Sequence, residues 1–317
     1  MKEATMTNKT RLVAVVGPTA SGKSALALAL AEQMNGEIVS CDSMQVYRRM
    51  DIGTAKPSAQ EQRAVRHHLI DVVEPSVTFS CADYVTLATE AILDCERRGK
   101  LPILCGGTGL YLDALLRGGE MQGSGADEAL RAELYAFYEK NGAEALHREL
   151  AAIDPKSAES IHPNNVRRVI RAIEIYRTSG QTKSELDRLS VQEESVWDAR
   201  VIGLRYEDRS ALYSRIDRRV DQMLEMGLLE ETRLLLEEGV FETNATAAQA
   251  IGYKELFGVL RGEESLREGA ERLKTATRRY AKRQMTWFSA KPYVHWLSAD
   301  ACGSFEEIVN NARELFS

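Results

Sequence analysis

Short β-branched apolar runs alternate along this chain with longer stretches in which apolar residues recur every three or four positions. Residues 12–16, LVAVV, end in a glycine turn and run into ALALALAEQM, which predicts strand, loop and helix. EIVSCDS predicts a second strand over Ile38–Cys41 that stops at Asp42. HLIDVVEP predicts a third strand, and LPILCGG a fourth after a helical stretch from Asp83 to Arg98. Strands alternating with helices imply an α/β protein whose parallel sheet is flanked by helices on both faces. Ligands in such sheets sit at the carboxyl ends of the strands, where Gly17, Asp42 and Gly106 stand.

The pattern changes after Leu116. Gly118, Gly119, Gly123 and Gly125 fall within eight residues, a break that predicts a hinge. Beyond it, 127–140, 143–151 and 164–178 predict three amphipathic helices with no strand signal between them, which defines an all-helical insertion domain over 121–198. RVIGLRY at 200–206 predicts a return to the sheet, so the core domain comprises 1–120 and 199–317. Its second part is mostly helical, with helices over about 208–226, 228–238, 246–260 and 265–289.

With 317 residues, 44% hydrophobic and 28% charged, the chain has the balance of a folded protein of one or two domains. Its longest purely apolar stretch, Ala25–Ala31, is far short of the roughly 20 residues of a membrane-spanning helix, and the opening MKEATMTNKT lacks an apolar leader segment. A cytoplasmic protein, without membrane contact and monomeric, is expected. Cys41, Cys81, Cys95, Cys105 and Cys302 are scattered without a CxxC, and the five histidines lack ligand spacing, so neither disulfides nor a histidine or cysteine metal site is expected.

Gly17-Pro18-Thr19-Ala20-Ser21-Gly22-Lys23-Ser24 is a complete GxxxxGK[ST] between a strand and a helix. Its backbone N–H groups and the helix N-terminus suit a phosphate, Lys23 adds a point charge, and the Ser24 hydroxyl can ligate Mg²⁺. The sheet is therefore expected to be of the P-loop NTPase-like kind. Such a loop recognises phosphates without reading what they are attached to. Hydrolytic relatives carry a metal-holding aspartate at the end of an apolar strand, whereas Leu101–Cys105 runs into Gly106-Gly107-Thr108-Gly109. Those glycines permit close approach to a ligand, with Thr108 offering a hydroxyl, or they form a simple turn. Asp71 in LIDVV is open to a metal role or a capping one. Asp42 could serve as a general base, as a helix N-cap or beside a metal ion.

Although the formal net charge is −6, basic residues cluster. From Arg267 to Lys291 there are eight against two glutamates; Lys274, Arg278 and Lys282 share a helix face, with Tyr280, Trp287 and Phe288 interleaved. Arg167, Arg168 and Arg171 form a second cluster and Arg215, Arg218 and Arg219 a third. Any one could be a solvated helix face; three in an acidic chain favour a polyanion-binding surface, and aromatic interleaving suits unstacked bases.

GPTASGKS, CDSMQVYRRMDIGTAKP, LPILCGGTGLY, IHPNNVRRVIRAIE, QAIGYKEL and RRYAKRQMTWF resemble, in order and spacing, the tRNA dimethylallyltransferases, over roughly residues 11–298. The resemblance implies transfer of a dimethylallyl group from dimethylallyl diphosphate to the exocyclic amine of the adenosine just 3′ of the anticodon, with Mg²⁺. It implies that the loop from Gly17 to Ser24 and Arg219 hold the diphosphate, that Asp42 is the general base, and that Thr108 lines the channel where the substrates meet. It further places contacts to the tRNA anticodon stem-loop at Asp42, Ser43, Met44, Gln45, Arg131, Asn165, Val166, Arg167, Arg168, Val169, Gln249, Gly252, Tyr253, Lys254, Tyr280, Lys282, Arg283, Gln284 and Trp287. The tail ACGSFEEIVNNARELFS has one cysteine and no histidine, so it resembles the compact bacterial form without a zinc finger. A phosphate-loop kinase of small molecules and a prenyltransferase of free adenine nucleotides are the competing expectations.

Overall fold

The computed structural model describes residues 9–118, 127–192, 195–244 and 246–316, with side chains omitted for 190–192. The Gly119–Gly125 part of the expected hinge lies outside the described residues. The chain divides into two compact units, Met1–Gly119 with Val196–Ser317 and Glu120–Ser195.

The first unit runs β1 (Arg11–Val16), α1 (Lys23–Gln33), β2 (Gly36–Ser40), α2 (Ala59–Ala64), β3 (His67–His68), α3 (Cys81–Arg97), β4 (Leu101–Gly106) and α4 (Gly109–Leu116). The second unit holds α5 (Glu128–Asn141), α6 (Ala143–Ile153), α7 (Pro155–Ser160), α8 (Val166–Ser179) and α9 (Lys183–Gln192). The chain then rejoins the first unit as β5 (Asp198–Arg205), α10 (Arg209–Glu225), α11 (Leu228–Glu237), α12 (Val240–Thr243), α13 (Phe257–Leu260), α14 (Leu266–Ser289), β6 (Val294–Ser298) and α15 (Phe305–Glu314).

Six parallel strands lie in the order β3-β2-β4-β1-β5-β6. Alternation along β1 builds both faces: Leu12, Ala14 and Val16 join one buried cluster with α3 and α4, while Val13 and Val15 join another with α1 and α15. The helical unit has its own core, in which Leu134, Leu146, Leu150, Val169 and Ile173 meet.

β4 lies between β1 and β2, so Asp42, just past β2, would be one strand away from the loop after β1. Two glycines close the gap. A Cβ on Gly106 would fall 2.0 Å from the Cys41 carbonyl oxygen, so the exit from β2 crosses the end of β4 only because Gly106 is bare. There the Cys41 N–H donates to Cys105 O at 2.8 Å and the Thr108 N–H to Cys41 O at 3.2 Å. Gly17, at φ +139°, passes so close to β5 that a Cβ would meet Leu204 O at 2.5 Å.

Four expectations need correction. The third strand shrinks to His67–His68, because Leu69 and Asp71 adopt left-handed backbone and the segment is captured by the chain at 45–48: Asp71 N–H donates to Gln45 O and Val73 N–H to Val46 O. Asp71 is exposed and bound to Lys56 at 2.5 Å, which leaves it no place at a strand end. The helix expected over 246–260 is broken into 3₁₀ turns at Ala247–Gln249 and Lys254–Leu256 followed by α13. The cause is Gly252 at φ +121°, whose N–H is held by the Glu255 carboxylate at 3.0 Å. Finally, β6 and α15 extend the sheet and its cover where only helix was expected, and α7 and α9 add two helices to the helical unit.

Candidate functional site

The carboxyl ends of β1, β2 and β4 open into a cavity of about 350 Å³ in the first unit, closed on the far side by α10 and α14. Thr19, Lys23 and Ser24 of the loop, Asp42 to Gln45, Arg219, and Tyr280, Arg283 and Gln284 all line it. Residues far apart in sequence are thus brought together in one cavity.

The floor is electrically incomplete. α1 begins at Gly22 in left-handed backbone with no side chain capping it, so its first N–H groups, on residues that border the cavity and the recess beside it, lack intrahelical partners. Half-buried Lys23 makes one long contact, 3.4 Å to Pro18 O. Loss of water pushes the Lys23 ammonium below its ordinary pKa; nearby Arg219 pushes the same way, and Cys105 and Asp42 oppose it. Arg219 is likewise lowered by burial and supported by Asp42. The Ser21 hydroxyl, 1% exposed, has no partner among the described residues. Two desolvated cations, free amides and an orphaned hydroxyl around one carboxylate constitute an anion site. Arg215, one turn before Arg219, donates to Ala20 O at 2.9 Å, and with Arg218 it borders a smaller basic recess that shares Lys23, Ser24 and Arg219 with the cavity.

Asp42 lines the cavity and holds its own loop, its Oδ1 accepting the Met44 N–H at 2.9 Å. Thr108 does not line the cavity. Its hydroxyl accepts the Ser43 N–H at 3.1 Å and meets the Tyr280 phenol, whose pKa is raised chiefly by burial. Gln45 is fixed by Ser40 and by the carbonyls of Thr54 and Ala55.

Gln249, Gly252 and Lys254 also line this cavity, while several other expected contacts fall elsewhere. Gln249 and Lys254 are exposed at the rim, with buried Gly252 between them. Tyr253, 0% exposed, is a core residue whose phenol donates to Glu231 at 2.8 Å, so its side chain reaches no ligand. Gln284 is 4% exposed and bonded within the protein. Lys282 is exposed, and Trp287 covers Gly109 with Lys291 over its ring. In the helical unit Asn165, Arg167 and Arg168 are exposed and Val166 is half-buried, but Val169 is wholly buried in that unit's core. Arg131 and Arg171 are tied to the buried Glu174. The basic stripe on α14 is thinner than its composition implies, because Arg272 pairs with Glu264, Lys274 with Asp221 and Arg278 with Asp217.

Two features escaped sequence reading. Glu231 accepts the N–H groups of Asp51, Ile52 and Gly53 from across the fold, a contact with no local signature. The cavity wall also includes Ile216, Val220 and Met223, whose helical spacing was visible but whose destination was not. Glu37, His68 and Cys95 lie within mutual reach of a metal ion, yet Arg98 occupies both Glu37 oxygens, making this an ion-pair cluster.

A parallel sheet with a phosphate loop after β1 and a carboxylate brought beside it defines a phosphate-loop α/β protein built for transfer chemistry. The sequence profile described as IPP transferase matches residues 45–291. The chain is 50% identical over 288 residues to the tRNA dimethylallyltransferase of Halalkalibacterium halodurans, covering 91% of each, and 43% identical over 308 residues to that of Caldanaerobacter subterraneus, covering 97% and 98%. A crystal structure of the tRNA isopentenylpyrophosphate transferase of Bacillus halodurans superposes with a TM-score of 0.72 at 46% identity, covering 97% and 96%. A eukaryotic dimethylallyltransferase captured acting on tRNA gives 0.77 at 32% identity, covering 92% of this chain and 74% of that one. This chain belongs to the IPP transferase family.

Proposed function

We propose that the chain transfers a dimethylallyl group from dimethylallyl diphosphate to the exocyclic N6 amine of the adenosine 3′ to the anticodon of tRNA, releasing diphosphate. Support comes above all from the meeting of Lys23, Arg219 and the uncapped start of α1 with Asp42 in one cavity.

The diphosphate sits on the loop from Gly17 to Ser24. As the carbon–oxygen bond breaks, charge grows on the leaving oxygens, and Lys23, Arg219 and the α1 amides stabilise it in place. Removing one such preorganised donor costs about 3 kcal/mol at the transition state. The lone pair of an adenine amine is delocalised into the ring, so the amine attacks well only as it loses a proton, and Asp42 accepts that proton. The Ser24 hydroxyl would hold Mg²⁺ together with oxygens of the diphosphate, leaving Asp42 free to take the proton. An ion held there would supply charge neutralisation for the leaving group, beside Lys23 and Arg219.

The adenosine leaves its stack at a cost of a few kcal/mol, offset by contacts elsewhere on the RNA. Exposed Arg167 and Arg168 on α8, and Arg279, Lys282, Arg283 and Trp287 on α14, have the chemistry for phosphates and an unstacked base.

The test is to incubate the protein with Mg²⁺, dimethylallyl diphosphate and unmodified tRNA or AMP and to score prenylated adenosine by mass spectrometry. Product on tRNA is expected. Product on AMP alone, or no prenyl product together with ATP-dependent phosphorylation of a metabolite, overturns the proposal.

A further inference from the structure

Gln284 lies on α14 between exposed neighbours, Lys282 and Arg283 before it and Thr286 and Trp287 after it, yet it is itself buried. Its side-chain amide is used at both ends. Oε1 accepts the Thr19 N–H of the phosphate loop at 2.8 Å, and Nε2 donates to the Gly107 carbonyl at 3.0 Å, partners 265 and 177 residues away. A Cβ on Gly107 would lie 1.9 Å from Nε2, so the bare glycine is what admits the amide. The partners dictate its orientation, since a flipped amide would set N–H against N–H and oxygen against oxygen.

We propose that Gln284 is a positioning residue that sets the shape of the phosphate loop. The proposal rests on reading the cavity as a diphosphate site. With the Thr19 N–H turned to Gln284, Ser21 N–H closed onto Pro18 O and Ala20 O held by Arg215, the front of the loop is spent on protein contacts. The N–H groups at the start of α1 remain for the phosphates. The other end of the amide holds the turn that carries Thr108, and Thr108 in turn holds the Ser43 backbone next to Asp42. One amide therefore braces the phosphate side of the cavity against the carboxylate side.

The side chains nearest to it in size or polarity do not match it. Glutamate offers two acceptors and would repel the Gly107 carbonyl; lysine and arginine offer no acceptor; asparagine is one methylene, about 1.5 Å, too short. Methionine fills the volume with neither hydrogen bond.

Gln284→Met and Gln284→Glu are compared with the parent protein. Binding of a nonreactive thiolodiphosphate analogue of dimethylallyl diphosphate is read by calorimetry, together with separate KM values for the diphosphate and for tRNA. Both variants are expected to bind the analogue 10- to 100-fold more weakly and to raise KM for the diphosphate similarly, with KM for tRNA within two-fold. In Gln284→Met, hydrogen exchange of peptides spanning 17–24 should rise while β1 and β5 stay protected; this readout stands even if the glutamate variant fails to fold. Unchanged analogue affinity in the folded methionine variant overturns the proposal, as does a loss confined to tRNA, which would make Gln284 an RNA contact. If Lys23→Ala abolishes analogue binding while Gln284→Met does not, only this inference fails. If the parent protein does not bind the analogue, the diphosphate reading fails with it.

Discussion

Glu231 on α11 anchors the loop that forms one wall of the cavity, and its removal has a calculable consequence. Its carboxylate accepts N–H groups from Asp51 at 3.1 Å, Ile52 at 2.9 Å and Gly53 at 3.0 Å, plus the Tyr253 phenol at 2.8 Å. Gly53 in turn lies flat on the Tyr253 ring, where a Cβ would approach to 2.5 Å, so water has little room to replace the lost acceptor. A hydrogen bond to a charged group contributes about 1.5–3 kcal/mol, and a donor left unsatisfied in a half-buried setting costs a similar amount. Solvent takes over at exposed Asp51. Counting the other three donors with partial rehydration, Glu231→Ala should destabilise by about 3 kcal/mol, against a total of about 5–15 kcal/mol for a typical fold. Tyr253→Phe should cost about 1 kcal/mol, and the double mutant should cost less than the sum, because both changes delete one shared bond. Urea unfolding followed by tryptophan fluorescence isolates the relevant unit, since Trp197, Trp287 and Trp296 all belong to the sheet unit. Loss below 0.5 kcal/mol in Glu231→Ala, or strict additivity in the cycle, would refute the reasoning.

Asp42→Asn keeps the Met44 cap through its remaining carbonyl oxygen, so tRNA affinity should stay within two-fold while prenyl transfer falls about 10²- to 10⁴-fold; rapid turnover by this variant rules Asp42 out as the base. Binding of tRNA should weaken with salt at a log–log slope of roughly −0.7 to −0.9 per phosphate contacted, and Arg167→Ala or Arg168→Ala should each reduce that slope by about one; an unaltered slope excludes them as phosphate contacts. The Arg98 guanidinium, helped by His68 and opposed by burial, holds the Glu37 carboxyl down to about 2. Because the folded pKa is the lower one, this stabilisation is complete above the ordinary glutamate value near 4.5 and is lost as pH falls toward 2. The stability of Glu37→Gln should therefore respond less to acid across that window than the parent's, and parallel pH profiles would contradict the pairing. Cys41, pushed up to about 12 mainly by burial, should resist iodoacetamide in the native protein and react on unfolding; native-state alkylation at Cys41 would disprove its enclosure.

Local order along the chain determined a good deal of this protein. A β-branched run, a glycine-rich loop and a helix in succession specify a strand, a phosphate cradle and an N-terminus, because each depends on neighbours within a few residues. The first, second and fourth strands, the loop itself and the helices after Gly227 and Ser265 were legible for that reason. Tertiary structure decided what depends on partners far away. The 69–73 segment reads as strand, yet it is pulled into turns by the chain at 45–48. The eight basic residues near the C-terminus read as one positive stripe until α10 supplies Asp217 and Asp221 to neutralise part of it. Val169, Tyr253 and Gln284 sit in motifs with the look of a binding surface, but helix rotation at Val169 and Gln284, and the turn after Gly252 at Tyr253, send these three side chains inward. Motif spacing identifies which stretches matter; only packing distinguishes the residue that touches a ligand from the one that holds it in place.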